Sequence, residues 1–393
     1  MASAAISQGR KRRLRVLYFE AGSGHMTAAK GLARALAPRL GEDWDVAPLD
    51  LVELFEPGSR NDGMMRKGID DFNDQIRREK VFDLRGRINL GRLFNSWLLW
   101  RGQPEMAGRW GQLGAADVLV SVTPMYNTAV CASLRRVVPQ ALCVTIPVDF
   151  EQCKRRYWFD TRQAQHYLCA KPRLGEQAKR AGVPASAIHS LSGMVIAPDF
   201  YKEAPADRRT AMVQAGLDPD LPLGVAHFGA QGSKILVDIA RALDGVDRPI
   251  QMLFLCGRSQ EIRQSVEALN VSYPRQVMGF TEQPPHHYYR LADFLIGKPG
   301  AMTITEALIT RTPILAMKST GMAPVQRGNE RWVERQAVGV VVPEAQALPQ
   351  ALARVLDDAS GFARRIDAAQ HQGLDDAVDA IASLIADHDR ASS

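Results

Sequence analysis

The chain has 393 residues, 46% of them hydrophobic and 23% charged, which is long enough for two globular domains. A formal net charge of +6 fits an anionic ligand, an anionic membrane surface or a nucleic acid, without choosing among them. Five cysteines with no C-x-x-C pair argue against a disulfide framework and a thiolate metal site. We therefore expect a reducing, cytoplasmic setting, with no signal peptide and no transmembrane helix.

Strands and helices alternate along both halves of the chain, a pattern typical of parallel sheets flanked by helices. The two arrays meet near Pro198 to Pro205 and predict two doubly wound domains, residues 1–199 and 200–393, facing each other across a ligand cleft. Residues 57–115 break the alternation and are interpreted as an insertion. Strands are predicted at 14–19, 118–122, 141–148, 223–228, 250–256, 294–297 and 313–317, and helices at 26–40, 233–243 and 303–310.

The segment GKPGAMTITEAL at residues 297–308 runs from a strand end through a Pro-Gly turn into a helix. Free N–H groups at a helix start suit a diphosphate, and the hydroxyls of Thr303 and Thr305 add donors. Glu306 in the first turn can accept hydrogen bonds from a ribose diol. A capped helix, in which Glu306 only favours the helix dipole, explains the same spacing, so both interpretations stay open.

Two glycine-rich turns carry weaker signals. The turn with Gly229 and Gly232 lacks Walker A spacing, but its glycines let the backbone approach a ligand. In the N-terminal turn, Thr27 stands where a dinucleotide-binding loop needs its third glycine, which argues against NAD. His25 follows this turn at a helix start, where the imidazole is expected to be neutral and can act as a general base. A purely structural hydrogen bond is the alternative.

Four segments together resemble one family: AGSGHMTAAKGLARAL, GFTEQ, KPGAMTITEALITRTPIL and VQRGNERWVERQAVGVVV. In this order and spacing the chain is similar to monogalactosyldiacylglycerol synthases and diacylglycerol glucosyltransferases. It is more distantly similar to the GlcNAc transferase that makes the lipid-linked intermediate of peptidoglycan. The resemblance implies the GT-B fold, two facing Rossmann-like domains with a central cleft. It also implies inversion at the anomeric carbon and a UDP-sugar co-substrate, with no metal and no other cofactor.

The resemblance also implies roles for individual residues. His25 falls beside the acceptor hydroxyl, Glu306 on the ribose, and the backbone of Phe280 and Thr281 on the uracil. Gln326 and Asn329 fall on the donor sugar. The full implied donor set is Gly229, Gly232, Phe280, Thr281, Gly300, Thr303, Thr305, Glu306, Gln326 and Asn329.

The chain departs from the family pattern at several positions. Ser23 replaces a usual glycine, Gln326 stands where glutamate is common, and Cys153 and Lys154 stand where a histidine is expected. Asp149 is a second catalytic candidate that either orients His25 or serves acceptor binding; an ordinary strand-end aspartate is the alternative.

The insertion contains a basic amphipathic stretch, LRGRINLGRLFNSWLLWR at residues 84–101. Its apolar residues follow the spacing of one helix face, which favours contact with a lipid acceptor or an anionic membrane surface. Packing on its own domain is the alternative. The acceptor or membrane candidates are Gly24, Arg92, Trp97 and Trp100.

The sequence therefore predicts an inverting hexosyltransferase that moves a sugar from a UDP-sugar to a lipid acceptor, with diacylglycerol as the first candidate. It is expected to be cytoplasmic and peripheral at the inner face of the cell membrane. A UDP-sugar 2-epimerase and a non-catalytic sugar-nucleotide-binding regulator are the alternatives. No nucleic-acid-reading motif supports a nucleic-acid partner, and the sequence leaves the oligomeric state, the donor sugar and the exact acceptor open.

Overall fold

The computed structural model describes residues 10–20, 24–77, 84–202, 207–281, 283–318, 323–369 and 373–392. These residues form two parallel sheets of six strands each, one in the N-terminal half up to Lys202 and one in the C-terminal half from Asp207. The predicted α/β architecture of two doubly wound units is confirmed. Gly22, Ser23 and part of the predicted junction at Pro198 to Pro205 lie outside the described residues.

The N-terminal sheet has the strand order β2-β1-β3-β4-β5-β6, and its neighbouring strands are all parallel. Both faces of β1 are buried, as parallel sheets require: Leu14 packs with Leu32 of the first helix, whereas Leu17 packs with Trp110 on the other face. The strands are β1 (Arg12–Tyr18), β2 (Trp44–Asp50), β3 (Val118–Ser121), β4 (Leu142–Thr145), β5 (His166–Cys169) and β6 (Ile188–Ser190). The helices outside the insertion are α1 (Gly24–Leu40), α5 (Asn127–Arg135) and α6 (Pro172–Arg180).

The insertion between β2 and β3 is helical. It consists of α2 (Arg60–Arg77), α3 (Leu84–Trp97), a π-helical turn (Leu98–Gly102) and α4 (Gln103–Leu113). Helix α4 anchors it: Trp110 is fully buried and donates a hydrogen bond to Ser133 Oγ at 3.0 Å. Within the described residues, no helix has the length and apolarity needed to cross a membrane.

The C-terminal sheet has the order β12-β11-β10-β7-β8-β9, again parallel throughout. The strands are β7 (Leu223–His227), β8 (Gln251–Leu255), β9 (Arg275–Met278), β10 (Phe294–Gly297), β11 (Ile314–Met317) and β12 (Gly339–Val342). The helices are α7 (Arg208–Gln214), α8 (Ile235–Leu243), α9 (Gln260–Glu267), α10 (His286–Tyr289), α11 (Ala301–Ile309), α12 (Ala323–Gln336), α13 (Leu348–Asp357), α14 (Ala359–Ala368) and α15 (Gly373–Ser392).

Helix α15 returns to the N-terminal half. Its Asp389 accepts two hydrogen bonds from Arg12 at 2.7 and 2.9 Å, and its Asp376 accepts one from the Ser192 amide at 2.6 Å. The predicted division at residue 199 therefore separates the two sheets, while the last helix packs on the first of them. Whether 1–199 and 200–393 fold as separate domains stays a prediction.

Candidate active site

A cavity of about 600 Å³ lies between the two sheets and takes its walls from both halves. Residues of the N-terminal half, including His25 and Asp149, face residues that follow β7 and β10 in the C-terminal half. The lining residues with polar side-chain groups include His25, Thr27, Tyr126, Asp149, Tyr157, His227, Lys298, Thr303, Glu306, Gln326 and Asn329. The cleft site predicted from the alternation of strands and helices is present at the carboxyl ends of these strands.

His25 is the second residue of α1 and is held in one tautomer. Its Nδ1 lies 2.8 Å from the carbonyl oxygen of Val122, just beyond the end of β3. A carbonyl only accepts hydrogen bonds, so Nδ1 carries the proton and Nε2 keeps a free lone pair. Burial lowers the pKa of His25 below its usual range, which keeps the ring neutral. This is the state that a general base requires.

Asp149 lines the same cavity, yet the described contacts do not make it the group that orients His25. Its Oδ2 accepts a hydrogen bond from Trp158 Nε1 at 3.0 Å, and the ring of Trp158 lies 6.2 Å from that of His25. Burial raises the pKa of Asp149 to about 7, against the opposing effect of the Trp158 hydrogen bond. The orienting group of His25 is the Val122 carbonyl, and acceptor binding stays the predicted role for Asp149.

The start of α11 has the features expected of an anion site. Gly300 is the residue before the helix, and no side chain among the described residues caps it. The first backbone N–H groups of the helix are therefore available to a ligand. Lys298 and Glu306 line the cavity beside them. Burial lowers the pKa of Lys298 and raises that of Glu306 to about 7, and each group's charge opposes the shift of the other.

The two threonines of this segment differ. Thr303 lines the cavity, as predicted for a diphosphate ligand. Thr305 is buried and does not line it; its hydroxyl donates to the Ala301 carbonyl at 2.8 Å. The expectation of a second hydroxyl donor at Thr305 is therefore corrected. The reason is helical geometry: residues two apart point in different directions, so Thr305 turns into the core.

Gln326 and Asn329 are buried on α12 and line the cavity. Asn329 links the halves: its Nδ2 donates to the Pro299 carbonyl at 2.9 Å, and its Oδ1 accepts from the Phe150 amide at 3.3 Å. The Oε1 of Gln326 has no hydrogen-bond partner within the described part of the chain. A buried acceptor of this kind calls for a donor, which a sugar hydroxyl can supply.

The remaining predicted donor residues lie at or beyond the edge of the cavity. Gly229 lines it with a φ of 96°. Gly232 has a φ of 76° and lies against the Cys256 backbone, where a Cβ would be only 2.3 Å from the carbonyl oxygen. The turn therefore requires glycine at this position. Phe280 is 57% exposed under the Arg258 guanidinium, and Thr281 accepts a hydrogen bond from the Gln283 amide. A uracil contact for these two stays a prediction.

The cavity continues into an apolar branch formed by the insertion. Helix α2 contributes Met64, Met65 and Phe72, and α3 contributes a row of apolar side chains. Phe94 and Trp97 stack with ring centroids 5.5 Å apart. Leu90 and Leu93 are 67% and 69% exposed at this wall.

The acceptor candidates divide accordingly. Gly24 and Trp97 line the cavity, whereas Arg92 and Trp100 do not. Trp100 is 75% exposed in the π-helical turn, and Arg92 contacts Asn89 at 3.4 Å. A direct acceptor contact is thus compatible with Gly24 and Trp97. For Arg92 and Trp100, contact with an anionic membrane surface stays a prediction, whereas direct contact with an acceptor in the cavity does not.

His227, at the carboxyl end of β7, was not singled out by the sequence although it lines the cavity. Its Nδ1 is hydrogen-bonded to the hydroxyl of Tyr289. Burial, with a smaller effect of the positive charge of Lys298, lowers the pKa of His227 to about 4. Its position directly before the Gly229 turn is the one signal in the sequence that could have drawn attention to it. Across the described ranges, no group of three or more His, Cys, Asp or Glu residues is placed to hold a metal ion.

The part of the chain that forms the C-terminal wall of this cavity is similar to a known protein family. Residues 228–384 match the model of the glycosyltransferase family 28 C-terminal domain. This part of the C-terminal half is therefore similar to the C-terminal domain of family 28 glycosyltransferases. The matched region includes His227's neighbour Phe228 and reaches beyond α12, so it contains the Gly229 turn, Lys298 and Glu306.

The similarity to known proteins extends into the N-terminal half. A probable monogalactosyldiacylglycerol synthase 2 of Oryza sativa subsp. japonica is 26% identical over 353 residues, or 86% of this chain and 72% of the relative. A processive diacylglycerol beta-glucosyltransferase of Bacillus licheniformis is 23% identical over 246 residues, or 62% of this chain and 61% of the relative. The predicted resemblance is confirmed, and these similarities support a glycosyltransferase of the family 28 type.

Solved structures support the fold. MurG of Acinetobacter baumannii superimposes with a TM-score of 0.62 at 17% identity, covering 95% of this chain and 99% of MurG. Anabaena Alr3699/HepE, solved in complex with UDP and glucose, gives a TM-score of 0.53 at 15% identity, covering 96% of this chain and 100% of HepE. The predicted GT-B arrangement of two facing Rossmann-like units is confirmed.

Proposed function

We propose that this protein is a family 28 glycosyltransferase that transfers a hexose from a UDP-sugar to a lipid acceptor with inversion, with diacylglycerol as the first candidate. The observation that carries the proposal is the cavity itself. One continuous space joins an anion-binding helix start, a neutral histidine and an apolar branch. The relatives named for diacylglycerol glycosylation support the same class of acceptor.

The chemistry follows from the positions of these groups. The acceptor hydroxyl gives its proton to Nε2 of His25, and its oxygen attacks the anomeric carbon from the face opposite the nucleotide. The bond from that carbon to the diphosphate oxygen breaks, and the electron pair stays on the diphosphate. Lys298 and the free N–H groups of α11 stabilise the charge that develops there. Gln326 accepts a hydrogen bond from a sugar hydroxyl.

The apolar branch supports a lipid as the rest of the acceptor. An acyl chain lying along Phe94 and Trp97 exchanges water for apolar side chains, which favours binding by about 0.8 kcal/mol for each buried methylene. The exposed side chains of Leu90 and Leu93 continue this surface outward. We propose that they contact the lipid surface from which the acceptor enters, which makes the protein peripheral to a membrane.

The decisive experiment is a donor screen against diacylglycerol-containing vesicles with the product mass read directly. A hexosyl-diacylglycerol formed from a UDP-sugar supports the proposal. Conversion of a UDP-sugar into its 2-epimer without acceptor would establish the epimerase instead. Binding of the nucleotide with no turnover on any acceptor would favour the regulator.

Glu306 gives a prediction about nucleotide affinity and pH. The carboxylate form accepts hydrogen bonds from both ribose hydroxyls, and the pKa of this group is raised to about 7. We therefore expect UDP to bind more tightly than 2′-deoxy-UDP above pH 7, and this preference to shrink as the pH falls through 7. Calorimetry with both nucleotides measures the ratio of the two affinities. Ionisation of the diphosphate or of Asp149 changes both affinities equally and therefore leaves this ratio unchanged.

Glu306→Gln removes the negative charge and is expected to reduce the preference for UDP by about 10-fold at pH 8, the effect of one hydrogen bond to a charged group. The ratio should then be independent of pH. Glu334→Gln, an exposed change on α12, is the matched control and should leave the ratio unchanged. A wild-type ratio of one, or an unchanged ratio in Glu306→Gln, would remove Glu306 from the ribose site.

A further inference from the structure

The cavity contains two histidines in different hydrogen-bonding situations. His25 lies on the N-terminal side with Nδ1 against a carbonyl oxygen, and His227 lies on the C-terminal side with Nδ1 against a phenol hydroxyl. A carbonyl can only accept, whereas a hydroxyl can also donate. The two rings therefore need not carry their proton on the same nitrogen.

The contact with Tyr289 favours one tautomer of His227. The phenol is fully buried, and burial raises its pKa well above the usual value, so it keeps its proton. If the hydroxyl donates to Nδ1 of His227, the buried phenol proton has its acceptor, and the ring proton sits on Nε2 of a residue that lines the cavity. In the opposite arrangement Nδ1 donates to the phenol oxygen, and the phenol proton is left in a buried site without a described acceptor. Buried donors are rarely left in that state.

The surroundings of His227 favour an anionic ligand. Its backbone pairs in register with Gly297 on β10, and the next residue, Lys298, lines the same wall. Helix α11 starts three residues after Lys298, at Ala301, without a side-chain cap. Burial and the charge of Lys298 keep the His227 ring neutral, so it has one N–H to offer and no charge of its own.

We propose that His227 donates a hydrogen bond from Nε2 to the diphosphate of the nucleotide-sugar, and that Tyr289 is the positioning residue that places the proton on Nε2. This inference rests on the proposed function and adds a ligand to its leaving-group site. The two histidines then have opposite roles, one as a proton acceptor and the other as a hydrogen-bond donor. His25 accepts a proton from the acceptor hydroxyl. His227 keeps its proton and shares it with the oxygen that receives the electron pair when the glycosidic bond to the diphosphate breaks.

The test compares a nucleoside diphosphate with the monophosphate of the same nucleoside by calorimetry. His227→Met removes the donor at similar volume and is expected to weaken UDP binding by about 10- to 100-fold while UMP affinity stays within 2-fold, because one hydrogen bond to a charged group is lost. His227→Gln places an amide N–H near the former Nε2 and should recover most of the UDP affinity. His287→Gln, an exposed histidine outside the cavity, is the matched control.

Tyr289→Phe tests the positioning role. It should weaken UDP binding several-fold in the wild-type background, since the ring proton is then free to move to Nδ1. In the His227→Gln background it should have little effect, because an amide has no tautomer to set. Equal weakening of UMP and UDP in His227→Met would indicate a structural role and overturn the inference, as would unchanged UDP affinity.

The result also separates this inference from the proposed function. If the wild-type protein prefers GDP, ADP or dTDP to UDP, the uridine donor is wrong, and the same diphosphate and monophosphate comparison with the preferred base still decides the role of His227. If the wild-type protein binds no nucleoside diphosphate, both proposals fail.

Discussion

Replacing His25 with alanine is expected to slow glycosyl transfer by about 10²–10⁴-fold, the usual contribution of a positioned general base. Nucleotide affinity should stay within 2-fold, because the groups proposed to hold the nucleotide all lie in the C-terminal half, whereas His25 lies in the N-terminal half. The measurement is steady-state turnover with saturating donor and acceptor, together with calorimetry of UDP.

The pH dependence of the wild-type rate provides a second readout. The neutral form of His25 is the active one, and burial lowers its pKa from the usual 6.5. The rate should therefore hold as the pH falls to 6.5 and decline only below it, apart from any loss due to Glu306 or Asp149 near pH 7. His189→Ala, a partly buried histidine at β6 away from the cavity, is the matched control. A full rate in His25→Ala would refute the base assignment.

Phe94→Asp is expected to reduce transfer to a long-chain diacylglycerol by more than about 100-fold. The substitution places a carboxylate in the apolar branch, where an acyl chain would strip it of water at a cost of several kcal/mol. UDP binding should be unaffected, since Phe94 lies on the insertion. Initial rates with a long-chain and a short, water-soluble acceptor measure the effect, and the loss should be larger for the long chain.

Val213→Asp is the matched control for that experiment. Val213 is 59% exposed on α7, so the same new charge there meets water and should leave both rates unchanged. If Phe94→Asp slows both acceptors equally, the branch does not bind the acyl chain. If it slows neither, the lipid reaches His25 by another route.

The strands found from the sequence are those with continuous apolar runs. Strand β10 was predicted with its observed bounds because FLIG is buried on both faces. Strand β2 gives no such signal, because charged residues and a proline interrupt its sequence, WDVAPLD. It lies at the sheet edge, where the missing N–H of a proline is tolerated. Strands β6 and β9 are edge strands as well, short and only partly buried. Edge strands show little periodicity because only one side is paired and their burial is incomplete.

The site was predictable where its residues are close in sequence. His25 and the Lys298 to Glu306 segment follow from glycine turns at helix starts, a local pattern. The pairing of His227 with Tyr289 spans 62 residues and depends on the packing of α10 under β7, which no local pattern records. The union of the polar site with the apolar branch likewise depends on where α2 and α3 lie. The prediction that the Thr305 hydroxyl contacts the ligand is wrong, because the exact residue at which the helix starts decides which side chains face the ligand.

The return of α15 to the N-terminal sheet has a mechanical consequence. The chain passes between the halves twice, once between Lys202 and Asp207 and once between Ala369 and Gly373. These two covalent connections, together with the contacts of Asp376 and Asp389, restrict how far the C-terminal half can move relative to the half that carries His25.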